Sequence, residues 1–189
     1  MNGKSNGSNS TKSIRKRISR RRLLKTGASA IAVGAAVSAL PAPAVFGAGR
    51  PIKIGMVSPE TGPIAAFGEA DQFAVAGLRK ALMDGIKVAG QTHPVEIIYK
   101  DSQSNPNRAS EVAAQLINKD RVDFMVASST SDTCIPVAAQ CELNGVPCVT
   151  ADDPWQSWFF GRKGNPKVGF EWTYHFFWGF DQVANLFAD

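Results

Sequence analysis

From residue 51 onward, short apolar runs alternate with stretches of helical period. "IKIGMV" (52–57) is short and rich in β-branched residues, so it predicts a strand. "EADQFAVAGLRKALMD" (69–84) predicts a helix, with Phe73, Ala76, Gly77 and Ala81 on its apolar face. "VEIIYK" (95–100) predicts a second strand. In "NRASEVAAQLINKD" (107–120), Ala109, Val112, Ala113, Leu116 and Ile117 recur at the spacing of one helix face, and Pro106 stands near the first turn. "VDFMVA" (122–127) predicts a third strand. "CIPVAAQCELN" (134–144) predicts a helix, with Pro136 at its start and Gly145 just past its end. "VPCVT" (146–150) predicts a fourth strand. This alternation is the order of an α/β fold, a parallel sheet flanked by helices.

Ligands of such sheets bind outside the carboxyl ends of the strands. The polar stretches of the chain fall at those exits: "SPETGPIAAFG", "DSQSNP", "SSTSDT" and "ADDPWQSWFFG" follow the four strands in turn. "SSTSDT" (128–133) packs five hydroxyls and one carboxylate between a strand and the helix after it. The free N–H groups and positive dipole end of that helix, with hydroxyls as neutral donors, would suit an anionic ligand group. Ser129, Ser131 and Thr133 are therefore candidate ligand-binding residues, and Asp132 or Thr133 is the expected helix cap. Thr150, ending the fourth strand, is their expected partner across the sheet. Asp152 and Asp153 could pair with a ligand ammonium or cap a turn before Pro154. Phe67, before Gly68, is a candidate apolar wall, with loop packing as the alternative. Residues 155–180 hold eleven of the seventeen aromatics, including all four tryptophans. Most should be core or interface, while some, Trp155 among them, should touch ligand.

Charge divides the chain. Residues 1–50 hold ten Lys or Arg and no acid, while residues 51–189 carry eleven basic against sixteen acidic side chains. The overall charge of +5 thus belongs to the first segment, and no basic patch is left to neutralise phosphates, which argues against a nucleic-acid partner. That segment runs from a polar start through Ser19-Arg20-Arg21-Arg22-Leu23-Leu24-Lys25 to "GASAIAVGAAVSAL" and "PAPAVFGAG". Charged, apolar and small-residue regions in that order read as a secretory signal, expected over residues 1–48. Its apolar part is shorter than the roughly twenty residues needed to cross a bilayer. The string around Arg20 and Arg21 resembles the twin-arginine export signal, which would make the twin-arginine machinery a partner. Cleavage is expected after Ala44 or a few residues later.

Cys134, Cys141 and Cys148 are spaced by seven. On one helix, Cys134 and Cys141 would lie roughly 10 Å apart, too far for a disulfide. Bridges to Cys148 remain open, with core packing the favoured reading. The spacing matches no zinc site, and no metal or cofactor is expected. The chain has no Gly-x-Ser-x-Gly elbow, no Gly-x-Gly-x-x-Gly and no P-loop. His93 precedes Pro94, away from the strand exits, and His175 sits among aromatics, so no nucleophile–base pair is evident and an enzyme is not expected.

"IKIGMVSPETGPIAAFGEADQFAVAGLRKAL", the pair Asp101-Ser102, "VDFMVASSTSDT" and "NGVPCVT" together resemble the type I periplasmic solute-binding proteins of ABC importers, of the leucine/isoleucine/valine kind. The resemblance covers essentially all of residues 51–189. It implies two α/β lobes closing on a small ligand, no catalysis, an extracytoplasmic location and an ABC permease as partner. It also implies a ligand carboxylate held at the loop 128–133 and at Thr150, and an aromatic wall at Phe67. "DDPWQSWFFGR" departs from the leucine-binding pattern, so the expected ligand is an amino acid, amide or small organic acid. Residues 49–171 would form the first lobe, and 172–189 the crossing and the start of a second lobe that the chain is too short to complete. A ligand-sensing domain of a signalling receptor and a secreted α/β enzyme are the alternative readings.

Export is expected to depend on the guanidinium pair. Changing Arg20 and Arg21 to Lys keeps the charge but loses the planar fork. Fractionation should show the double variant retained in the cytoplasm, with an Arg20, Arg21, Arg22 triple variant controlling for substitution by the neighbour. Export of both at the normal rate would refute the twin-arginine assignment.

Overall fold

The computed structural model describes residues 49–188. The expected signal, with Arg20, Arg21 and the Ala44 cleavage zone, lies outside the described residues. Five parallel strands form the central sheet: β1 (Ile52–Ser58), β4 (Val95–Asp101), β5 (Phe124–Ala127), β6 (Cys148–Ala151) and β7 (Thr173–Phe176). Their spatial order is β4-β1-β5-β6-β7. A separate antiparallel hairpin pairs β2 (Ile86–Val88) with β3 (Gln91–His93). The helices are α1 (Glu69–Ala81), α2 (Pro106–Gln115), α3 (Ser131–Asn144), α4 (Trp155–Gly161) and α5 (Phe180–Ala188). The expected α/β parallel sheet is the one observed.

Side-chain alternation along β1 serves both faces of the sheet. Val57 joins Ala109, Val112, Ala113, Leu116, Val137 and Cys141 in the larger core under α2 and α3. Met56 packs with Val75 of α1 and Ile97 of β4 on the other face. A third cluster joins Cys134 and Ala138 of α3 to Trp158 of α4. Gly55 sits where a Cβ would come within 2.9 Å of Met125 Sδ, so the middle of the sheet has no room for a side chain there. Asn105 caps α2 by accepting from the N–H groups of Asn107 and Arg108, and Pro106 takes the first helical position as expected.

Several expectations change. α1 buries Asp71 and Val75 instead of the face carrying Phe73, which is 84% exposed. The helix has one narrow contact with the sheet, so its apolar residues outnumber the places to bury them. α3 starts at Ser131, three residues before the expected Cys134. The reason is Thr130, whose carbonyl accepts from the N–H of Thr133 and of Cys134 and so starts the helix early. Thr130, not Asp132 or Thr133, is the N-cap position, and its hydroxyl makes no capping bond. Pro136 consequently lies inside the helix, where it removes one donor.

The β2–β3 hairpin has no counterpart in the hydrophobic pattern. Ala89 and Gly90 both have positive φ, as a two-residue hairpin turn requires, but Ala is an unusual residue for the first position. β7 pairs with β6 throughout, so the sheet runs on to Phe176, past the boundary expected at 171. All three cysteines are free and buried. Burial raises the Cys134 thiol well above its ordinary range, which makes it an unreactive core residue.

Candidate functional site

The strand order reverses beside β1: the chain passes from β1 out to β4 and then back across to β5. Crevices form at such switch points, outside the carboxyl ends of the strands. A cavity of about 450 Å³ opens there. Phe67, Ala70 and Asp71 line it from the segment after β1, and Thr130 and Ser131 from the exit of β5. Asp152, Asp153, Pro154 and Ser157 follow β6, and Phe177, Trp178 and Phe180 follow β7.

The hydroxyls at these exits are engaged by carboxylates. Ser129 Oγ donates to the Phe67 carbonyl at 2.8 Å and approaches Asp71 Oδ2 at 3.1 Å. Ser58 Oγ donates to the same oxygen of Asp71. Ser128 Oγ donates to Asp152 Oδ2 at 2.6 Å. Ser131 Oγ donates to Asp153 Oδ1 at 2.7 Å and meets Ser157 Oγ at 2.6 Å. Thr133 Oγ1 faces Ser102 Oγ at 3.3 Å. Three of the five hydroxyls of "SSTSDT", those of Ser128, Ser129 and Ser131, thus contact this protein's own acids.

Of the expected ligand residues, Phe67, Ser131 and Asp152 are brought together on the cavity wall. Ser129, Thr133 and Thr150 are fully buried and turned into the protein. Thr150 Oγ1 lies 2.8 Å from His175 Nδ1, and His175 Nε2 reaches the Asp153 carbonyl at 2.5 Å. Burial lowers the His175 pKa, so the ring is neutral at pH 7. The geometry then assigns Nε2–H as donor to the Asp153 carbonyl and Nδ1 as acceptor from Thr150. Thr150 orders the site from behind it. Trp155 stands outside the cavity, its ring 6.1 Å from that of Phe160.

Sequence reasoning passed over Thr130, Asp71, Ser157 and the three aromatics after β7 as site residues. Asp71 carries no mark in the hydrophobic pattern, because the apolar face expected for α1 runs through Phe73, Ala76, Gly77 and Ala81 and not through Asp71. Ser129, Thr130 and Asp152 all have positive φ, at 72°, 74° and 61°. For a β-branched residue such as Thr130 this is a strained conformation, of the kind concentrated at binding sites. Two polar atoms at the cavity lack hydrogen-bond partners within the described residues: Thr130 Oγ1 and Asp153 Oδ2. Burial raises the Asp153 pKa, against the opposing pull of the Ser131 hydroxyl. No group of three His, Cys, Asp or Glu side chains among the described residues is placed to hold a metal ion.

A family model of periplasmic binding proteins matches residues 51–189. A Leu/Ile/Val-binding protein homologue from Brucella melitensis is 33% identical over 103 residues, which are 52% of this chain and 26% of that protein. Among solved structures, the branched-chain amino acid transporter substrate-binding protein LivJ of Streptococcus pneumoniae, in complex with isoleucine, superposes with a TM-score of 0.53 at 25% identity. That match covers 68% of this chain and 34% of LivJ. The leucine-binding protein LivK of Thermotoga maritima superposes with a TM-score of 0.55 at 25% identity, over 72% of this chain and 35% of that one. The chain therefore spans between a quarter and about a third of the length of these relatives.

The buried acid at the cavity generates a stability prediction. A carboxyl group whose pKa is raised in the fold contributes stability that is present below its unfolded pKa and is lost as pH rises through its folded pKa. Asp153→Asn removes the cost of the buried ionised form. It should unfold at a higher temperature than the wild-type chain at pH 7, with the gap closing as pH falls to about 4. A variant less stable than wild type at pH 7 would contradict this.

Proposed function

Because the chain belongs to the periplasmic binding protein family, we propose that it supplies the first lobe of a solute receptor that captures a small amino acid-like ligand for an ABC permease. The observation that carries this reading is the cavity at the switch point. It has the size of a small-molecule site, aromatic walls and a few convergent polar groups, two of them without partners. The names of the Brucella, Streptococcus and Thermotoga proteins support an amino acid-like ligand and a role in transport. A second lobe would close over the open side, with β7 and α5 leading toward it. The lobe would work outside the cytoplasm, where the expected leader would send it.

The chemistry at the cavity supports binding without turnover. Ser131 touches Asp153 and Ser157, while His175 reaches Asp153 only through its backbone carbonyl. The base that the Ser131 hydroxyl touches is the Asp153 carboxylate, and no imidazole among the described residues meets that hydroxyl as in a Ser–His pair.

A panel of amino acids, amino acid amides and small organic acids, scanned by thermal shift against the 189-residue chain, tests the reading. A ligand at ten times its Kd should stabilise the fold by about 1.4 kcal/mol. Ala70→Trp, which fills the cavity from the exposed start of α1, should abolish the shift. A panel without any stabilising member, or a shift unchanged in Ala70→Trp, would overturn the proposal.

A further inference from the structure

Every full charge on the cavity wall is negative. Asp71, Asp152 and Asp153 line it, and no Lys or Arg does among the described residues. Of the four hydroxyls expected to hold an anion, Ser129 and Ser131 contact these same acids, and Thr133 and Thr150 are buried against Ser102 and His175. α1, α3, α4 and α5 all begin at the cavity, and their dipoles favour negative charge there. Each contributes only about half a positive charge at its end, so the four together offset about two of the three carboxylates and leave the wall net negative.

An independent observation points to a missing partner. Asp153 is 1% exposed, it lines the cavity, and its Oδ2 has no hydrogen-bond partner. Leaving a charged oxygen buried and unpaired is costly, and a donor arriving with a ligand removes the cost. The facing wall consists of aromatic rings, from Phe67 and from Phe177, Trp178 and Phe180. Ring faces attract cations and offer nothing to a carboxylate.

We propose that this lobe binds the cationic end of its ligand, an ammonium group held between Asp152, Asp153 and the aromatic wall, and not the carboxylate. The inference rests on the receptor reading above and reverses the ligand orientation that the family resemblance implies. Asp152, the more open of the two acids, makes the first contact. Thr130 Oγ1, also without a partner, accepts a second ammonium hydrogen. A ligand carboxylate, where there is one, points away from this lobe.

Ligand-observed saturation-transfer NMR on the 189-residue chain tests this with three probes that share one side chain. L-leucinamide has the ammonium without the carboxylate, N-acetyl-L-leucine has the carboxylate without the ammonium, and L-leucine has both. Leucinamide should bind at least about tenfold more tightly than N-acetyl-leucine, the size of one charge-assisted hydrogen bond, with leucine between them. Asp152→Asn combined with Asp153→Asn should remove most of that gap. The series on the unaltered chain stands even if the double variant fails to fold. N-acetyl-leucine binding as tightly as leucinamide would overturn the charge inference and leave the receptor reading intact. Absence of transfer to all three probes would also overturn it, and the receptor reading would then be decided by the wider panel.

Discussion

The site depends on the pairing of serine hydroxyls with carboxylates around the strand exits, those of Asp71 and Asp153 buried and that of Asp152 exposed. Two short contacts, Ser128 with Asp152 and Ser131 with Asp153, and a longer one, Ser129 with Asp71 at 3.1 Å, tie the β5 exit to the β6 exit and to α1. Each brings an acid from another segment to the loop between β5 and α3. The loop accepts left-handed backbone at Ser129 and Thr130 as the cost of this convergence. Charge-assisted hydrogen bonds to carboxylates are stronger than neutral ones and can hold such a loop in place.

The sheet explains why the network can be rigid. β1 and β5 lie side by side in the sheet, with cores on both faces, so packing holds the strand exits independently of the polar contacts. Behind the acids, Thr150 and His175 hold the Asp153 backbone, and the stacked ring of Trp158 lies 5.0 Å from that of His175. Arg162 sits over the rings of Trp158 and Phe170 and is hydrogen-bonded to Thr173. The aromatic segment that looked odd in composition is thus partly a platform under β6 and β7 and partly the far wall of the cavity.

Much of the fold was legible in the sequence because its elements bury whole faces. The period in α2 and in the π-helical turn that continues it (Leu116–Asp120) named Ala109, Val112, Ala113, Leu116 and Ile117, and all five are buried. β7 was missed because "TYHF" sits at a sheet edge with Tyr174 and Phe176 exposed, so it lacks the apolar run of a central strand. The place of the cavity was legible too, since topology sets it. The role of each hydroxyl was not. Whether Ser131 faces a ligand or Asp153 depends on a residue 22 positions away, and the sequence holds no local trace of that pairing. Asp71 was hidden for the same reason, its partners being Ser58 and Ser129.

The central claim is that the hydroxyls hold the protein's own acids. Carbon-detected NMR titration of the Asp153 carboxyl group, in the wild-type chain and in Ser131→Ala, measures it directly. The account predicts an Asp153 pKa above the ordinary aspartate value in the wild-type chain. It should rise further when the Ser131 hydroxyl, which favours the ionised form, is removed. An Asp153 that titrates at the ordinary value and does not respond to Ser131→Ala would contradict the account.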